Sequence, residues 1–325
     1  MVYYKGLVSI IIVNWNGKHF LKDCLSSVYK QSYENIEVIF VDNASKDGSI
    51  EFVKENFPEV KIIENNKNYG FAIGNSIGLK FCNGEYIYLL NNDTELHSET
   101  IQKYVNAIGP QNVAGVCGKI LSLTNRDKCI FTLPKIHSRT GKAIWINDDS
   151  PITPVDYLSG CSMILKREII DKMGFLDKTY FAYFEETDLC ARIIRAGYDL
   201  IYVPDAYTWH KEMGSTPTWF NRYYMMRNQF RFIIKNFDLK YIPYALKENI
   251  KALLSGLKNR HKDKKTTQSP TDKADYNLKW LVVKGIMWNI VHLPHTIYCR
   301  RRDFKLIGPQ IRSYNENLPL RNIKE

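Results

Sequence analysis

Two groups of acidic side chains lie where they could hold a metal ion or accept a proton. Asp93 follows the apolar and aromatic part of the segment Tyr86–Thr94. A carboxylate at the end of a buried strand is well placed to hold a divalent cation and, through it, a phosphate. The second group is Glu185, Glu186 and Asp188, at the start of a predicted helix. Adjacent carboxylates can raise one another's pKa, which suits a base that works near neutral pH.

Both groups also have a structural interpretation. The polar residues around Asp93 could form a turn that caps the next helix. Acidic residues favour the first turn of any helix because of the helix dipole, and Asp188 with Arg192 forms an ordinary i, i+4 pair. For Asp188 the sequence leaves the catalytic and the structural roles equally open.

The elements that would position these residues alternate between strands and helices. Apolar, β-branched runs predict strands over Leu7–Val13, Ile36–Val41, Val60–Ile63 and Tyr86–Leu90, with helical patterns between them. This alternation indicates βαβ units and a mostly parallel sheet in an α/β domain. Asn or Asp follows every one of these strands, and the carboxyl ends of parallel strands line one crevice. The sequence therefore predicts a binding site at this edge of the sheet.

The basic residues are concentrated late in the chain. The 325 residues carry a formal net charge of +11, with basic runs at Lys258–Lys265 and Arg300–Arg302. We predict a first domain over residues 1–236 and a basic, amphipathic helical extension over residues 237–325. Interleaved aromatic, apolar and basic residues without a membrane span are typical of a peripheral helix on an anionic membrane. A solvated appendage or a dimer contact is the alternative.

The cysteines and the N-terminus predict a location. Seven cysteines are scattered without a C-x-x-C pair, which indicates reduced thiols in a cytosol and argues against a zinc site. No secretory signal precedes the first strand, and the apolar stretch Leu278–Pro294 is interrupted by charged residues. We expect a cytoplasmic protein, peripheral on the inner face of the cell membrane. The basic runs match no nucleic-acid recognition motif, so no nucleic-acid partner is expected.

Five motifs occur in an order that is similar to a known family. They are Val8–Asn16, Val41–Ser49, Asn68–Ala72, Leu89–Thr94 and Tyr183–Leu189. Together they resemble the family-two inverting glycosyltransferases, and most closely the rhamnosyltransferase-like branch of bacterial cell-surface polysaccharide assembly. The resemblance implies a GT-A fold, which is a Rossmann-like, mostly parallel sheet flanked by helices. It also implies a nucleotide-diphosphate sugar donor and a divalent metal, Mg²⁺ or Mn²⁺.

The resemblance assigns donor and metal residues by position. It implies that the donor nucleotide is bound by Asn14, Asn16, Asp42, Asn43, Asn68, Gly70, Asn75 and Asn92, with Gly70 allowing a close approach of the backbone. Asn91-Asn92-Asp93 stands where the family has an Asp-x-Asp metal motif. Because Asn91 replaces the first acid, Asp93 is expected to hold the metal with help from the donor diphosphate and His210.

The resemblance also assigns the acceptor side. Glu186 matches the base, and Glu185 and Asp188 complete the predicted catalytic group, where they hold acceptor hydroxyls or order the loop. Small residues at Gly160 and Cys161 leave room for a sugar, although packing explains them equally well.

Two further sets of residues carry weaker expectations. Arg227 and Asn228 resemble a recurrent pair and are expected near the diphosphate, with a surface helix as the alternative. Trp15, Trp145 and Trp219 could stack on sugars, but core packing is the default expectation for each.

These inferences predict a non-processive inverting glycosyltransferase. It would move a sugar from dTDP-rhamnose or a UDP-sugar to a lipid-linked or growing cell-surface glycan. Neither a Gln-x-x-Arg-Trp motif nor a predicted span supports a processive synthase. One alternative is a sugar nucleotidyltransferase-like enzyme, which would need a glycine-rich pyrophosphate loop where this chain has Asn14–Gly17. The other is a non-catalytic glycan-binding protein.

Overall fold

The computed structural model describes residues 3–146, 151–211, 218–259, 278–308, 313–316 and 318. Residues 260–265 of the predicted basic run Lys258–Lys265 lie outside the described residues, and so does the side chain of Trp145. The strands of the described chain are β1 (Tyr4–Asn14), β2 (Ile36–Asp42), β3 (Lys61–Glu64), β4 (Gly84–Asn91), β5 (Thr94–Leu96), β6 (Val113–Ser122), β7 (Cys129–Phe131), β8 (Leu133–Ile136), β9 (Ala143–Ile146), β10 (Thr153–Pro154), β11 (Ser162–Lys166) and β12 (Asp199–His210). The α-helices are α1 (Lys18–Tyr29), α2 (Ser49–Asn56), α3 (Gly70–Gly78), α4 (Thr100–Ile108), α5 (Arg167–Met173), α6 (Glu185–Arg195), α7 (Thr218–Asn236), α8 (Ile242–Asn259), α9 (Leu278–Val291) and α10 (Leu293–Ile307).

One large sheet organises the domain. Its strand order is β10-β12-β6-β11-β4-β1-β2-β3, with β5 paired to β12 and β7 paired to β6. The first four predicted strands are present as β1 to β4. Strand β1 runs parallel to both β2 and β4, and β2 runs parallel to β3. The β11 strand is antiparallel to its neighbours β4 and β6. The predicted α/β fold with a sheet flanked by helices is confirmed, and the sheet is mixed, since β10, β5 and β7 are also antiparallel to their partners.

The central strands are covered on both faces, which explains their continuous apolar sequence. In β1, Ile11 packs into one hydrophobic cluster while Ile10 and Ile12 pack into the other, and all three are fully buried. Full burial of one such side chain contributes about 1.5–3 kcal/mol. In the same register Asn14 pairs with Asp42, and Val13 pairs with Asn91. The polar strand ends therefore meet at one edge, as expected for parallel strands.

The helices beyond residue 236 pack on the elements that precede them. Asn236, where we predict the first domain to end, is the last residue of α7. From α9, the Asn289 side chain donates a hydrogen bond of 2.9 Å to the carbonyl of Arg227 on α7. From α10, the Arg300 guanidinium donates to the carbonyls of Ile234, Lys235 and Phe237 at 2.7–3.0 Å. The α9 and α10 helices thus complete the packing of α7. Among the described helices, none is both long and apolar enough to cross a bilayer.

Candidate active site

Asn14 joins three strand ends at the predicted donor edge. Its side-chain amide donates to Asp42 Oδ1 at 3.0 Å and to Ser45 Oγ at 3.1 Å, while its Oδ1 accepts from Asn92 Nδ2 at 2.6 Å. Asp42 Oδ2 in turn accepts from the Ser45 amide at 2.7 Å. Asn14 and Asp42 are fully buried, whereas Asn16 is exposed beside them. Asn14 and Asp42 therefore form the hydrogen-bonded frame of this edge.

A second group of predicted donor residues surrounds Asn43. The buried Asn43 amide donates to the Gly70 carbonyl at 3.2 Å and to Asn68 Oδ1 at 3.4 Å. The backbone amide of Gly70 donates to the same Asn68 oxygen at 2.8 Å. Asn75 is also buried, and its amide donates to the Phe71 carbonyl one turn earlier in α3. Asn43 and Asn75 thus support the start of α3, while Asn68 and Asn92 are only partly buried.

Gly70 makes a close approach within the chain itself. Its φ is +77°, and a Cβ there would lie 2.6 Å from the carbonyl oxygen of Phe181. The amides of Phe71 and Ala72 donate to that same oxygen at 2.7 and 3.3 Å. The sequence predicts that the space at Gly70 serves the nucleotide, but the structure fills it with the segment that leads to α6.

Asp93 and His210 lie next to each other on the opposite side of this edge. Asp93 Oδ1 is 3.2 Å from His210 Nε2, and Asp93 is 7% exposed. The pairing of β5 with β12 sets Thr94 opposite His210, and the Lys211 amide donates to the Asp93 carbonyl at 3.1 Å. The sheet therefore fixes both side chains.

This pair fits a divalent cation. Asp93 Oδ1 is buried and accepts no hydrogen bond from the described residues. Neighbouring ligands of an octahedral Mg²⁺, with bonds of about 2.1 Å, lie roughly 3 Å apart, which agrees with the observed separation. Within the described part of the chain, no cluster of three or more His, Cys, Asp or Glu side chains could hold a metal. Asp93 and His210 would therefore need further oxygen ligands from a bound molecule to hold a metal. The replacement of an acid by Asn91 predicts the same need.

A strained turn precedes the helix that carries Glu185 and Glu186. Phe181, Tyr183 and Phe184 have φ values of +69°, +67° and +70°. Bulky residues rarely adopt this left-handed region, and each such residue costs about 1–3 kcal/mol and persists only where its surroundings hold it. We call residues 181–184 the aromatic turn. No sequence pattern signals its conformation, because aromatic residues do not favour positive φ.

Glu185 is buried and Glu186 is partly buried, and one carboxyl oxygen of each is shielded from water. Burial raises the pKa of Glu186 to about 7. The pKa of Glu185 is raised well above its usual range, by burial first and then by the nearby charge of Glu186. In both residues Oε2 is buried without a hydrogen-bond partner in the described residues. Two carboxyl groups with raised pKa values therefore lie side by side at the start of α6.

A short segment joins Glu186 to the Asp93–His210 pair. A Cβ on Gly160 would lie 3.4 Å from Cγ of Glu186, an ordinary van der Waals distance, so Gly160 lies directly beside that side chain. The next residue, Cys161, accepts a hydrogen bond of 2.9 Å from the Asn91 amide, two residues before Asp93. The burial of Cys161 raises the pKa of its thiol to about 12, with smaller contributions that include the charges of Asp93 and Glu186. Gly160 and Cys161 thus lie between the predicted base and the predicted metal ligand.

Asp188 lies in a different environment from Glu186. It is fully buried, and its oxygens accept from Lys235 Nζ at 2.7 Å and Asn236 Nδ2 at 2.8 Å. It also accepts from Arg192 Nε at 3.3 Å. Burial alone would raise the pKa of Asp188, but Lys235 and Arg192 hold it below the usual range. This geometry corrects the inclusion of Asp188 in the catalytic group and supports the structural alternative.

The structure also changes two weaker expectations. Arg227 and Asn228 are buried in α7 and donate to the backbone of residues 179–183, so they are neither a surface pair nor diphosphate ligands in this conformation. Trp15 is 51% exposed next to Asn14, and Trp219 is 38% exposed, so core packing is wrong for both.

The sequence comparisons identify the family. The pattern described as Glycosyl transferase family 2 matches residues 9–174, which is just over half of the chain. The chain belongs to this family. It is 25% identical over 198 residues to the low-salt glycan biosynthesis hexosyltransferase Agl10 of Haloferax volcanii, covering 58% of this chain and 62% of that protein. The chain thus spans less than two-thirds of that relative.

Two further proteins are similar over longer parts. The N-acetylglucosaminyl-diphospho-decaprenol L-rhamnosyltransferase of Mycobacterium tuberculosis is 23% identical over 241 residues, which cover 65% of this chain and 78% of that protein. The crystal structure of GalNAc-T7 with UDP, GalNAc and Mn²⁺ superposes with a TM-score of 0.62 at 18% identity, covering 87% of this chain and 57% of that chain. The shared architecture confirms the predicted GT-A fold.

Proposed function

We propose that this protein is a non-processive, inverting glycosyltransferase. The observation that carries the proposal is the arrangement around Gly160 and Cys161: the raised-pKa carboxyl of Glu186 on one side and the Asp93–His210 pair on the other. An inverting transfer needs a base on the acceptor side, opposite the leaving diphosphate. Family membership also leaves the nucleotidyltransferase alternative without support.

The chain's own residues supply the proton transfer. Glu186 accepts the proton of the acceptor hydroxyl as that oxygen attacks the anomeric carbon, and a base with a pKa near the working pH is the most effective. Glu185, whose pKa is raised well above its usual range by burial and by the charge of Glu186, orients an acceptor hydroxyl. Asp93 and His210 would hold Mg²⁺ or Mn²⁺, which supplies positive charge to the leaving diphosphate when bound.

The donor and acceptor classes rest on the relatives. The rhamnosyltransferase named above acts on a lipid-diphosphate sugar, and GalNAc-T7 was solved with UDP. We therefore propose a nucleotide-diphosphate sugar donor, dTDP-rhamnose or a UDP-sugar, and a lipid-linked or growing glycan acceptor. Asn16, Asn68 and Asn92 remain the proposed donor contacts, because they are the predicted residues that are not buried.

The membrane contact that we propose involves α9. One face of this helix, with Leu281, Val282 and Asn289, is buried. The other face presents an apolar stripe that is 49–68% exposed and consists of Trp280, Val283, Met287, Ile290 and Val291. Exposed Lys279 and Lys284 adjoin the stripe. Contiguous apolar surface flanked by cations fits the interface of an anionic bilayer, with the protein on the cytoplasmic face.

The test of the activity is Glu186→Gln. The variant keeps the size and the burial of the side chain but cannot accept the proton. We expect transfer to be lost while donor binding, measured by calorimetry with Mn²⁺ across dTDP-, UDP- and GDP-sugars, stays unchanged. Wild-type turnover in the variant would exclude Glu186 as the base. Absence of donor hydrolysis or transfer by the wild-type protein with every donor would favour the non-catalytic glycan-binding alternative.

The test of the membrane contact uses two serine substitutions in the full chain. Trp280→Ser with Met287→Ser removes the exposed apolar side chains without touching the buried face of α9. We expect weaker co-sedimentation with vesicles of phosphatidylglycerol and phosphatidylcholine. Tyr4→Ser, at an exposed position 67% accessible on β1, is the control. Equal sedimentation of all three proteins would refute the contact.

A further inference from the structure

The aromatic turn needs a partner that holds it, because three of its residues lie in the left-handed region. Nothing in the local sequence favours this conformation, and relaxation of φ at any of the three would release strain. The turn ends directly at Glu185, so a change in its backbone moves the first turn of α6. The position of Glu186 therefore depends on whatever fixes residues 181–184.

Asn228 of α7 fixes the turn through its backbone carbonyls. Its Nδ2 donates to the carbonyl of Tyr180 at 3.1 Å and to those of Ala182 and Tyr183 at 2.7 Å each. Its Oδ1 accepts from Arg227 Nε at 2.8 Å. The side chain is fully buried. Every polar atom of Asn228 is thus used, and its amide group bonds three carbonyls of one short segment.

Arg227 extends the same contact and links it to α9. Its guanidinium donates to the carbonyls of Thr179 and Tyr180 at 3.1 and 2.6 Å. It stacks 4.2 Å from the ring centroid of Trp288 and 4.5 Å from that of Tyr224. Arg227 is 5% exposed. The guanidinium therefore supports the residues before the turn while Asn228 holds the turn itself.

We propose that Asn228 is a positioning residue for the transfer reaction: it holds the aromatic turn so that Glu186 faces the acceptor hydroxyl. This inference rests on the proposed function of Glu186. Asn228 acts through the backbone of residues 180–183. Its loss therefore affects the chemical step most strongly, because the frame of Asn14 and Asp42 at the donor edge has its own hydrogen bonds, although the turn also contacts the start of α3 through the Phe181 carbonyl.

The experiment compares isosteric substitutions at two buried asparagines. Asn228→Asp keeps the shape of the side chain. It replaces the NH₂ group, which donates hydrogen bonds to three carbonyls, with an oxygen that accepts them. Asn249→Asp is the matched control, because Asn249 is 6% exposed and its Nδ2 donates to the carbonyls of Thr140 and Ala245 at 2.7 and 2.8 Å. Alanine variants at both positions test the result without the added charge.

We expect kcat to fall about 100-fold or more in both Asn228 variants, as for other misplaced catalytic groups. The KM for the donor and the donor Kd should change much less than kcat. Hydrogen exchange of amides 180–187 should accelerate in the same variants. The Asn249 variants should lose thermal stability but keep kcat and the exchange of this segment.

The outcomes separate the two proposals. Wild-type kcat in the Asn228 variants, with Glu186→Gln inactive, would overturn the positioning role and leave the proposed function intact. An equal fall of kcat in the Asn249 variants would also overturn it, since the loss would then follow general destabilisation. Wild-type transfer by Glu186→Gln would exclude Glu186 as the base, and the positioning role of Asn228 with it.

Discussion

Lys235→Met probes the buried charges that connect α6 to the C-terminal helices. Lys235 Nζ lies 2.7 Å from Asp188 Oδ2 and 2.9 Å from Oδ2 of both Asp177 and Asp303. Its side chain is fully buried. The three carboxylates come from the segment before α6, from α6 itself and from α10. Methionine has a similar length but removes the ammonium group that these three carboxylates share.

The expected loss follows from the burial of the partners. Removing one member of a buried ion pair lowers stability by about 3–5 kcal/mol, because the remaining charge is left without compensation. Arg231 still pairs with Asp177 at 2.9 Å, and Arg192 still pairs with Asp188 at 3.3 Å. We therefore expect the free energy of unfolding to fall by about 3–5 kcal/mol near pH 8, where all the carboxylates are ionised.

The pKa values of Asp177 and Asp188 determine how the stability deficit of Lys235→Met changes with pH. In the wild-type protein burial alone would raise the pKa values of Asp177 and Asp188, but Lys235 and a neighbouring arginine lower both. A lowered native pKa contributes stability above the unfolded value, near 3.9, and that stability is lost as pH falls through the native value. Without Lys235, each carboxylate keeps its arginine partner, so its native pKa rises toward the unfolded value. The deficit of the variant is therefore full near neutral pH and shrinks as pH falls below about 4.

The assay is urea unfolding followed by tryptophan fluorescence at several pH values. Lys54→Met is the matched control, because Lys54 Nζ lies 2.9 Å from Glu64 Oε1 but both side chains are more than half exposed. Such a surface pair is worth about 0–1 kcal/mol. A loss in Lys235→Met no larger than in Lys54→Met would refute the reasoning. A deficit that stays constant with pH would refute the assignment to carboxylates.

Three further predictions concern the site. The kcat/KM for the acceptor should fall below about pH 7, because protonated Glu186 cannot accept a proton; a midpoint near the ordinary glutamate value would contradict the effect of burial. His210→Ala should weaken donor binding in Mn²⁺ and have no effect in chelator, as measured by calorimetry; an equal loss in both would exclude a metal ligand. Gly70→Ala places a Cβ 2.6 Å from the Phe181 carbonyl at a φ of +77° and should lower stability by at least about 1–2 kcal/mol. Gly109→Ala, with no atom closer than 3.6 Å, is its control in urea unfolding, and equal losses would refute the strain.

The first half of the fold could be predicted because its signals are local. A continuous apolar run such as Leu7–Val13 indicates a strand covered on both faces, and an asparagine directly after it marks the edge. The convergence of Asn14, Asp42 and Asn92 follows from the parallel register alone. Asp93 could be located for the same reason, since it follows β4 by two residues.

The acceptor side could not be predicted to the same degree because its geometry depends on distant residues. The positive φ values of the aromatic turn are held by Asn228, which lies more than forty residues later in the sequence. Asp188 and Glu186 are two residues apart in one acidic run, yet only their tertiary neighbours separate a buried ion pair from a carboxyl with a pKa of about 7. Periodicity carries no information on either point.

The same contacts determine how the C-terminal helices can be tested. Deleting the chain after Asn236 would remove Asp303 from the carboxylates around Lys235 and the Asn289 hydrogen bond from Arg227. Arg227 adjoins the residue that holds the aromatic turn. A truncated protein would therefore lose activity even if the apolar stripe of α9 never met a membrane. Only substitutions confined to the exposed face of α9 separate membrane binding from catalysis, because that face makes none of these contacts.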